Sequence, residues 1–332
     1  MKTNINTKFA GLTLKSPIII GASGITNDVK HFKDFEEHGA GAIVLKSIFE
    51  EEIAFEFNNF LKEAEEQGYD NEFVDYFDYK LKQDNITKYI DLIKAAKNEV
   101  SIPIIASVNC ITSREWTYFA KKIEEAGADA LELNIFIAPD DLNKTGADIE
   151  KVYFEIAETV KKQINIPVIV KMSYYFSNLG RMIVNLSEKV DGVVLFNRFY
   201  NPDIDLKERK VVNAKIFSTP DEILLPLRWI ASSYGKAKSS LAATTGIHDG
   251  SGLIKMILAG ADAVQIVSAI YKNGTIVIKQ MIDELTKYMA DNNFESLDEM
   301  KGIVSKEKAT NPAMYERVQF MRYFGEYNED II

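Results

Sequence analysis

The sequence predicts an α/β protein folded as a (β/α)8 TIM barrel, and three observations support this prediction. A short apolar run is followed about twenty residues later by a second run that opens with Gly, Ala, Val or Asp, and this couplet occurs four times. The runs are rich in β-branched residues with little polar alternation, as in strands buried on both faces of a parallel sheet. Segments with apolar residues at helical spacing separate them. Four couplets predict eight strands, and their regular recurrence favours a closed barrel over a doubly wound open sheet.

Each element can be assigned in order. The predicted strands lie within Ser16–Ser23, Gly39–Ser47, Ile102–Asn109, Ala126–Asn134, Ile166–Ser173, Val190–Asn197, Ser239–Gly246 and Ala259–Val267. The clearest predicted helices are Asn27–His38, Ser113–Glu125 and Gly250–Leu258, each with a Ser, Asn or Gly near its start, where exposed N–H groups need a cap. Met1–Pro17 is polar and alternating, so we expect an N-terminal β-hairpin that closes the barrel floor.

The chain is longer than a plain barrel of about 250 residues, and we predict one domain over residues 1–332 with two additions. The first is an enlarged insertion at about 48–90, after the second strand, in which Glu50–Tyr79 holds eleven acids and one lysine. It is either an extra helix pair with a solvated acidic face or a lid over the barrel mouth. The second is a C-terminal extension at about 305–332, where Met314–Tyr327 predicts an aromatic helix packed on the barrel or on another subunit.

Composition narrows the function classes. The net charge is −10 without runs of Lys or Arg, which argues against a nucleic-acid partner. The single cysteine, Cys110, allows no internal disulfide and no cysteine-based zinc site, and it suits a reducing compartment. No run of about 18 apolar residues predicts a membrane span, and the N-terminus lacks the apolar core of a signal peptide. We therefore expect a cytoplasmic protein that acts on a small molecule.

Polar side chains end several predicted strands, where barrel enzymes place their chemistry. These residues are Lys46, Asn109, Asn134, Lys171 and Asn197. Lys46 and Lys171 follow β-branched runs in the same register, so both ammonium groups should point into the barrel mouth. A lysine there is costly unless an anionic group meets it. Either the two lysines bind an electron-rich cofactor or substrate, or they form a structural ion pair with Glu132.

The last two strands end in a pattern typical of phosphate binding. TTGIHD at Thr244–Asp249 and VSA at Val267–Ala269 follow strands seven and eight, whose loops often hold a phosphate in barrels. Gly246 lets backbone N–H groups approach an anion, and the hydroxyls of Thr245 and Ser268 add donors. The alternative is that the glycines serve only a tight turn into the next helix.

These motifs, in this order, resemble the dihydroorotate dehydrogenase family, most closely its soluble class 1 members, from about Phe9 to Val304. The matching motifs are GASG at Gly21–Gly24, VLKS at Val44–Ser47, ELN at Glu132–Asn134, VKM at Val170–Met172, FNR at Phe196–Arg198, TTGI at Thr244–Ile247, GSGLIKMILAGADAVQIVSAIYKNG at Gly250–Gly274 and FESLDEMKG at Phe294–Gly302. The resemblance implies an FMN-dependent flavoprotein that oxidises dihydroorotate in pyrimidine biosynthesis, and a homodimer.

The resemblance also implies residue roles. FMN would lie across the barrel mouth, with Lys171 near its N1 and C2 carbonyl, where a cation stabilises the reduced flavin. The implied cofactor-binding residues are Ala22, Ser23, Lys46, Asn109, Asn134, Lys171, Asn197, Thr245, Gly246, Val267 and Ser268. Of these, Lys46, Asn134 and Asn197 would also face the substrate as the catalytic residues.

Two departures from the family pattern concern the substrate. The family's Cys or Ser base would fall at Ile137 or Ala138, and neither side chain accepts a proton. Replacements from neighbouring strand ends stay open: Cys110, Asp140, Ser173 and Tyr174. The family's N-x-x-G-x-P-N substrate segment is also missing between Ser47 and Asn109. The alternatives are therefore an FMN enzyme for another small substrate, a phosphate-substrate lyase or isomerase using a lysine, or a flavin-binding protein without catalysis.

Overall fold

Eight parallel strands close into a barrel, as the couplets predict. The computed structural model describes residues 3–50, 71–109, 113–137, 139–198 and 202–316. In spatial order around the barrel, the strands are β3 (Ile18–Ile20), β4 (Ala42–Val44), β6 (Ile104–Asn109), β7 (Ala130–Asn134), β8 (Val168–Met172), β9 (Gly192–Leu195), β12 (Ser240–Thr244) and β13 (Ala263–Ile266), which pairs with β3 again. Each neighbouring pair is parallel. The sequence prediction of a TIM barrel is confirmed.

Helices connect the strands and cover the outside of the barrel. They are α1 (Phe32–Glu37), α2 (Asn71–Glu99), α3 (Ser113–Glu125), α4 (Gly146–Lys161), α5 (Leu179–Ser187), α6 (Leu224–Ser233), α7 (Gly250–Ala259), α8 (Ser268–Asn273), α9 (Ile276–Asp291) and α10 (Leu297–Met300), with 3-10 turns at Gly24–Thr26, Pro220–Ile223 and Pro312–Tyr315. The predicted helix at Asn27–His38 begins later than expected, at Phe32, because the Asp28 side chain accepts a hydrogen bond from the Lys30 N–H and favours a turn.

The predicted N-terminal hairpin is present and closes the barrel floor. It consists of β1 (Thr7–Phe9) and β2 (Leu12–Leu14), which pair antiparallel. Phe9, Ala10 and Leu14 are fully or almost fully buried against the inward side chains of the barrel strands. Gly192 on β9 permits this contact, because a Cβ there would lie 3.1 Å from both the Ala10 Cβ and the Phe9 Cζ. The floor is thus an apolar plug, and the open end of the barrel is the opposite one.

A second hairpin, which the sequence did not predict, follows β9. It pairs β10 (Pro202–Asp205) with β11 (Lys210–Asn213), and its side chains are mostly exposed. The short strand β5 (Ile48–Phe49) extends the barrel wall by pairing with β6. Residues 51–70 of the acidic segment, Cys110, Ala138 and residues 317–332 lie outside the described residues, so the predicted roles of the insertion and of the tail stay predictions.

A tyrosine from α2 supplies hydrogen bonds to a backbone position of the barrel wall. Between β4 and β5, the Tyr89 hydroxyl accepts the Ser107 N–H at 2.8 Å and donates to the Ser107 carbonyl at 3.0 Å, thereby satisfying both backbone groups of one β6 residue. The hydroxyl is buried, and burial raises its pKa, so it stays protonated and able to donate. The Ser107 hydroxyl in turn shares a hydrogen bond of 2.7 Å with the Ser47 hydroxyl.

We expect Tyr89→Phe to lower the free energy of unfolding by about 2–4 kcal/mol, because two buried backbone groups lose their partner. Urea denaturation followed by circular dichroism measures this change. Tyr288→Phe is the control: the Tyr288 hydroxyl makes no hydrogen bond within the described part of the chain, and its ring is half-buried. Equal losses in the two variants would contradict the role of Tyr89.

Candidate active site

A cavity of about 410 Å³ opens at the C-terminal ends of the strands on one side of the barrel mouth. Its lining comes from the ends of β3, β8, β9, β12 and β13, from α8, and from the segment 216–218 that follows the second hairpin. This volume is in the range of small-molecule sites. Among the described residues that line it, none is Asp or Glu, whereas Lys171 and Arg198 are cationic. In a chain of net charge −10, the cavity therefore favours an anionic ligand.

Strand alternation explains the polar layer at the inner end of the cavity. Ala130 on β7, Ile169 on β8 and Ala263 on β13 face the plug, so the inward residues one step higher are Glu132, Lys171 and Gln265. The Lys171 ammonium donates to Gln265 Oε1 at 3.1 Å, and Gln265 Nε2 donates to a Glu132 carboxylate oxygen at 2.5 Å. All three side chains are buried. The amide therefore bridges the predicted lysine and acid, which do not meet directly in a hydrogen bond.

The predicted phosphate segment also lines the cavity. Thr245, Gly246, Val267 and Ser268 all line it. Gly246 has φ +80°, and a Cβ there would lie 2.2 Å from the backbone nitrogen of Ile223, so only glycine fits. This close approach joins the end of β12 to the 3-10 turn at Pro220–Ile223. Gly246 is therefore needed for close backbone packing at the cavity edge.

Arg198, directly after β9, organises one wall of the cavity. Its guanidinium donates to the carbonyl oxygens of Lys215 and Ile216 at 2.9 and 2.8 Å. It also pairs with the Glu222 carboxylate through two nitrogens, at 2.7 and 3.2 Å. A guanidinium suits this role, because its N–H donors lie in one plane and can bind backbone carbonyls and a carboxylate at the same time. The guanidinium thus fixes the segment 215–217 beside the cavity.

Ser218 continues this wall toward α8. Its N–H donates to Ser268 Oγ at 3.0 Å, and its carbonyl accepts from the Lys272 ammonium at 2.7 Å. Its hydroxyl is 2.9 Å from His248 Nε2, and burial, reinforced by Lys272, lowers the pKa of that imidazole. Next to it, the rings of Phe217 and Tyr271 lie 5.3 Å apart between centroids. The wall is therefore bonded to α8, which begins at Ser268 of the predicted phosphate segment.

The structure brings most of the predicted cofactor residues together. Those that line the cavity are Ala22, Ser23, Lys171, Asn197, Thr245, Gly246, Val267 and Ser268. Asn134 does not line it but accepts a hydrogen bond from the Asn197 amide and pairs in register with Lys171 across β7 and β8. Lys46 and Asn109 lie outside the cavity lining; both are half-buried at the ends of neighbouring strands. Their roles stay predictions.

The candidate bases that the structure describes, Asp140, Ser173 and Tyr174, are not among the residues that line the cavity. Ile137 is half-buried and packs against the core, and Asp140 is exposed. Ser173 is buried. The Tyr174 ring contacts the Phe196 ring at 5.9 Å, and a hydrogen bond with Tyr175, together with burial, raises the pKa of Tyr174 to about 12. None of the described candidates is arranged as a strong base at the cavity.

Sequence reasoning missed three residues of the site. Gln265 is a polar residue at an inward-facing position of a buried strand, so the alternation of side chains along that strand could have predicted it. Arg198 stood in a quoted motif, but its partners are backbone carbonyls, which leave no mark in the sequence. Ser218 lies in a segment without a motif and reaches the site only through contacts 30 to 54 residues away.

A closed parallel barrel with a cation-lined cavity at the C-terminal strand ends is typical of barrel enzymes that act on small molecules. The family model for dihydroorotate dehydrogenase matches residues 65–289. The chain therefore belongs to the dihydroorotate dehydrogenase family and is an oxidoreductase of that family.

Individual relatives support this assignment. The catalytic subunit of dihydroorotate dehydrogenase B (NAD(+)) from Thermoplasma volcanium is 30% identical over 318 residues, covering 92% of this chain and 99% of the relative. The NAD-dependent dihydropyrimidine dehydrogenase subunit PreA of Escherichia coli is 23% identical and covers 91% of this chain and 77% of the relative. The crystal structure of dihydroorotate dehydrogenase from Eimeria tenella superposes with a TM-score of 0.63 at 13% identity, covering 90% of this chain and 88% of that one, which shows the shared fold.

Proposed function

We propose that the chain is an FMN-dependent oxidoreductase that dehydrogenates a CH–CH bond of a small molecule. The observation that supports this most strongly is the cavity itself. It joins a hydroxyl- and glycine-rich end, at Thr245, Gly246 and Ser268, to a buried ammonium at Lys171. A phosphate at one end and an electron-accepting ring at the other match these two environments.

The chemistry of the lining fits FMN. A phosphate dianion needs N–H and O–H donors without nearby carboxylates, and the described lining provides donors and no acid. Bound FMN would supply the hydride acceptor, which the protein side chains cannot. Ala22 and Ser23 would contact the ring edge, as the family resemblance implies, because both line the cavity beside Lys171.

The proposed role of Lys171 follows from its position. Its ammonium is held by Gln265 at the inner end of the cavity, where it would stabilise negative charge that develops on a bound electron acceptor. Asn134 and Asn197 are linked by a hydrogen bond and would orient the substrate, together with Lys46 after the end of β4. Because Lys171 and the two asparagines are already held in place by hydrogen bonds, they would not have to reorganise during the reaction.

In its narrow form, the proposal is the oxidation of dihydroorotate to orotate in pyrimidine biosynthesis. A different small substrate of the same reaction type is the broader form, because Ile137 offers no base and the described candidates lie off the cavity lining. The same observation favours a second function, a flavin-binding protein without catalysis. A lyase or isomerase using Lys171 for a Schiff base is disfavoured, since this ammonium is already engaged with Gln265.

Partners and location belong to the same proposal. The class 1 resemblance implies a homodimer, and the single cysteine favours a reducing compartment such as the cytoplasm. The Thermoplasma volcanium relative is named a catalytic subunit, which favours a further subunit. No helix in the described ranges is long and apolar enough to cross a membrane. Size-exclusion chromatography with light scattering separates a dimer of this chain from a monomer that needs another protein.

Anaerobic reduction tests the proposed reaction. The flavin-loaded chain is mixed with dihydroorotate, and the flavin absorbance near 450 nm is followed; bleaching supports the narrow form. Bleaching by dithionite but not by dihydroorotate supports another substrate, which a screen of reduced heterocycles would then identify. A flavin that only dithionite bleaches, with every tested substrate inert, would support the non-catalytic alternative and contradict the enzyme.

A further inference from the structure

A carboxylate inside the barrel has no assigned role. Glu132 on β7 is completely buried, one layer above the apolar plug. One of its oxygens accepts from Gln265 Nε2, while the other, Oε1, has no hydrogen-bond partner among the described residues. Burying a carboxylate that is only half satisfied is costly. Replacing such a group with an apolar residue often leaves stability unchanged or improves it, so stability alone does not account for Glu132.

The hydrogen bonds around Glu132 have only one possible direction. An ammonium can only donate, so Lys171 fixes the carbonyl oxygen Oε1 of Gln265 on its own side. The Gln265 amide nitrogen must then face Glu132 and donate to it. Lys171, Gln265 and Glu132 therefore form a single chain of polarised bonds that ends in a negative charge. Such chains strengthen each of their members in a low-dielectric interior.

We propose that Glu132 is a positioning residue that acts through Gln265 on Lys171. It holds the ammonium at the inner end of the cavity and offsets part of its positive charge, and in this way it lowers the reduction potential of the flavin bound there. The inference rests on the proposed FMN site. It assigns to a residue outside the cavity lining the task of setting how easily the cofactor is reduced.

The sign of the effect follows from charge. Reduction adds negative charge to the flavin, which Lys171 favours and a nearby carboxylate opposes. With Glu132 present, the positive field at the cavity is partly cancelled, so the flavin holds its electrons less tightly and passes them on more readily. Removing only the negative charge must therefore make the potential more positive.

Glu132→Gln tests this with little change of shape, because the new amide oxygen can still accept from Gln265. We expect the ratio of reduced to oxidised flavin, at a fixed potential, to rise about tenfold, which is about 30 mV for a two-electron couple. The measurement is a redox titration of the flavin-loaded chain against a reference dye. Asp283→Asn is the control: it removes the same charge from an exposed pair with Lys279 on α9 and should leave the potential unchanged.

A double variant that exchanges the two residues keeps the inference testable if Glu132→Gln alone does not fold. Glu132→Gln combined with Gln265→Glu keeps the net charge but moves the carboxylate next to Lys171, so the potential should become more negative than that of the unmodified chain. A Glu132→Gln protein with lower thermal stability but an unchanged potential would overturn the inference and leave a structural role. The same holds for a swap variant with an unchanged or more positive potential. If the unmodified chain binds no FMN, the proposed function fails as well, which distinguishes the two failures.

Discussion

Replacing Lys171 with methionine should decrease the ratio of reduced to oxidised flavin at a fixed potential about 100-fold, equal to about 60 mV for a two-electron couple. The side chain keeps its volume but loses the cation that lies at the inner end of the cavity. A charge on a preorganised, buried group has a far larger effect on a developing anion than one in water. The redox titration is normalised to bound flavin, so any loss of folded protein does not enter the result.

The matched control for Lys171→Met is Lys279→Met, which removes an exposed ammonium from an ion pair on α9. We expect no change in the flavin equilibrium for this variant, because exposed charges are screened by water and salt. A Lys171→Met protein whose flavin titrates like that of the unmodified chain would remove Lys171 from its proposed role and would leave the cavity as a binding site only.

Gly246→Ala should weaken FMN binding at least about 100-fold and lower the thermal stability of the chain. The residue has φ +80°, where any other side chain costs about 1–2 kcal/mol. In addition, its Cβ would lie 2.2 Å from the Ile223 nitrogen and 2.6 Å from the Ile223 Cα, so the backbone must move. That movement separates the end of β12 from the turn that borders the phosphate end of the cavity. Flavin titration and thermal denaturation measure the two effects.

Substitutions at two other glycines separate backbone strain from steric overlap as causes of the Gly246→Ala effect. Gly274 has φ +74° with no atom within 4 Å of its Cβ position, so Gly274→Ala tests backbone strain alone. Gly146 opens α4 without positive φ and also has free space, so Gly146→Ala should change neither property by much. If Gly246→Ala bound FMN as tightly as Gly146→Ala, the packing of Gly246 would have no part in the site.

The barrel could be predicted because its strands are buried on both faces and read as unbroken apolar runs. All eight strand windows contain the observed strands, from β3 to β13. The exposed hairpin of β10 and β11 was not predictable in this way. Its strands carry Pro202, Asp203 and Asp205, and no Asn-Gly or Asp-Gly pair marks its turn. Its pairing is a local feature that apolar periodicity does not report.

In the candidate site too, some residues could be predicted from the sequence pattern and others could not. Lys171, which strand phase directs inward, and Gly246 and Ser268, which the glycine and hydroxyl pattern singles out, line one cavity. The sequence pattern could not predict that Gln265 lies between Lys171 and Glu132, since both an ion pair and a bridged arrangement fit the same sequence. Nor could it predict the wall held by Arg198, because those bonds reach backbone oxygens in a distant loop.

A comparison of FMN with riboflavin tests whether the cavity binds a flavin through its phosphate. The two ligands share the ring and differ only in the phosphate, which we assign to the end of the cavity formed by Thr245, Gly246 and Ser268. Fluorescence titration of flavin-free chain should give one FMN bound per chain, with riboflavin at least about 100-fold weaker, since charge-assisted bonds to the phosphate are lost. Equal affinity for the two ligands, or no binding of either, would show that the cavity is not a phosphate-dependent FMN site.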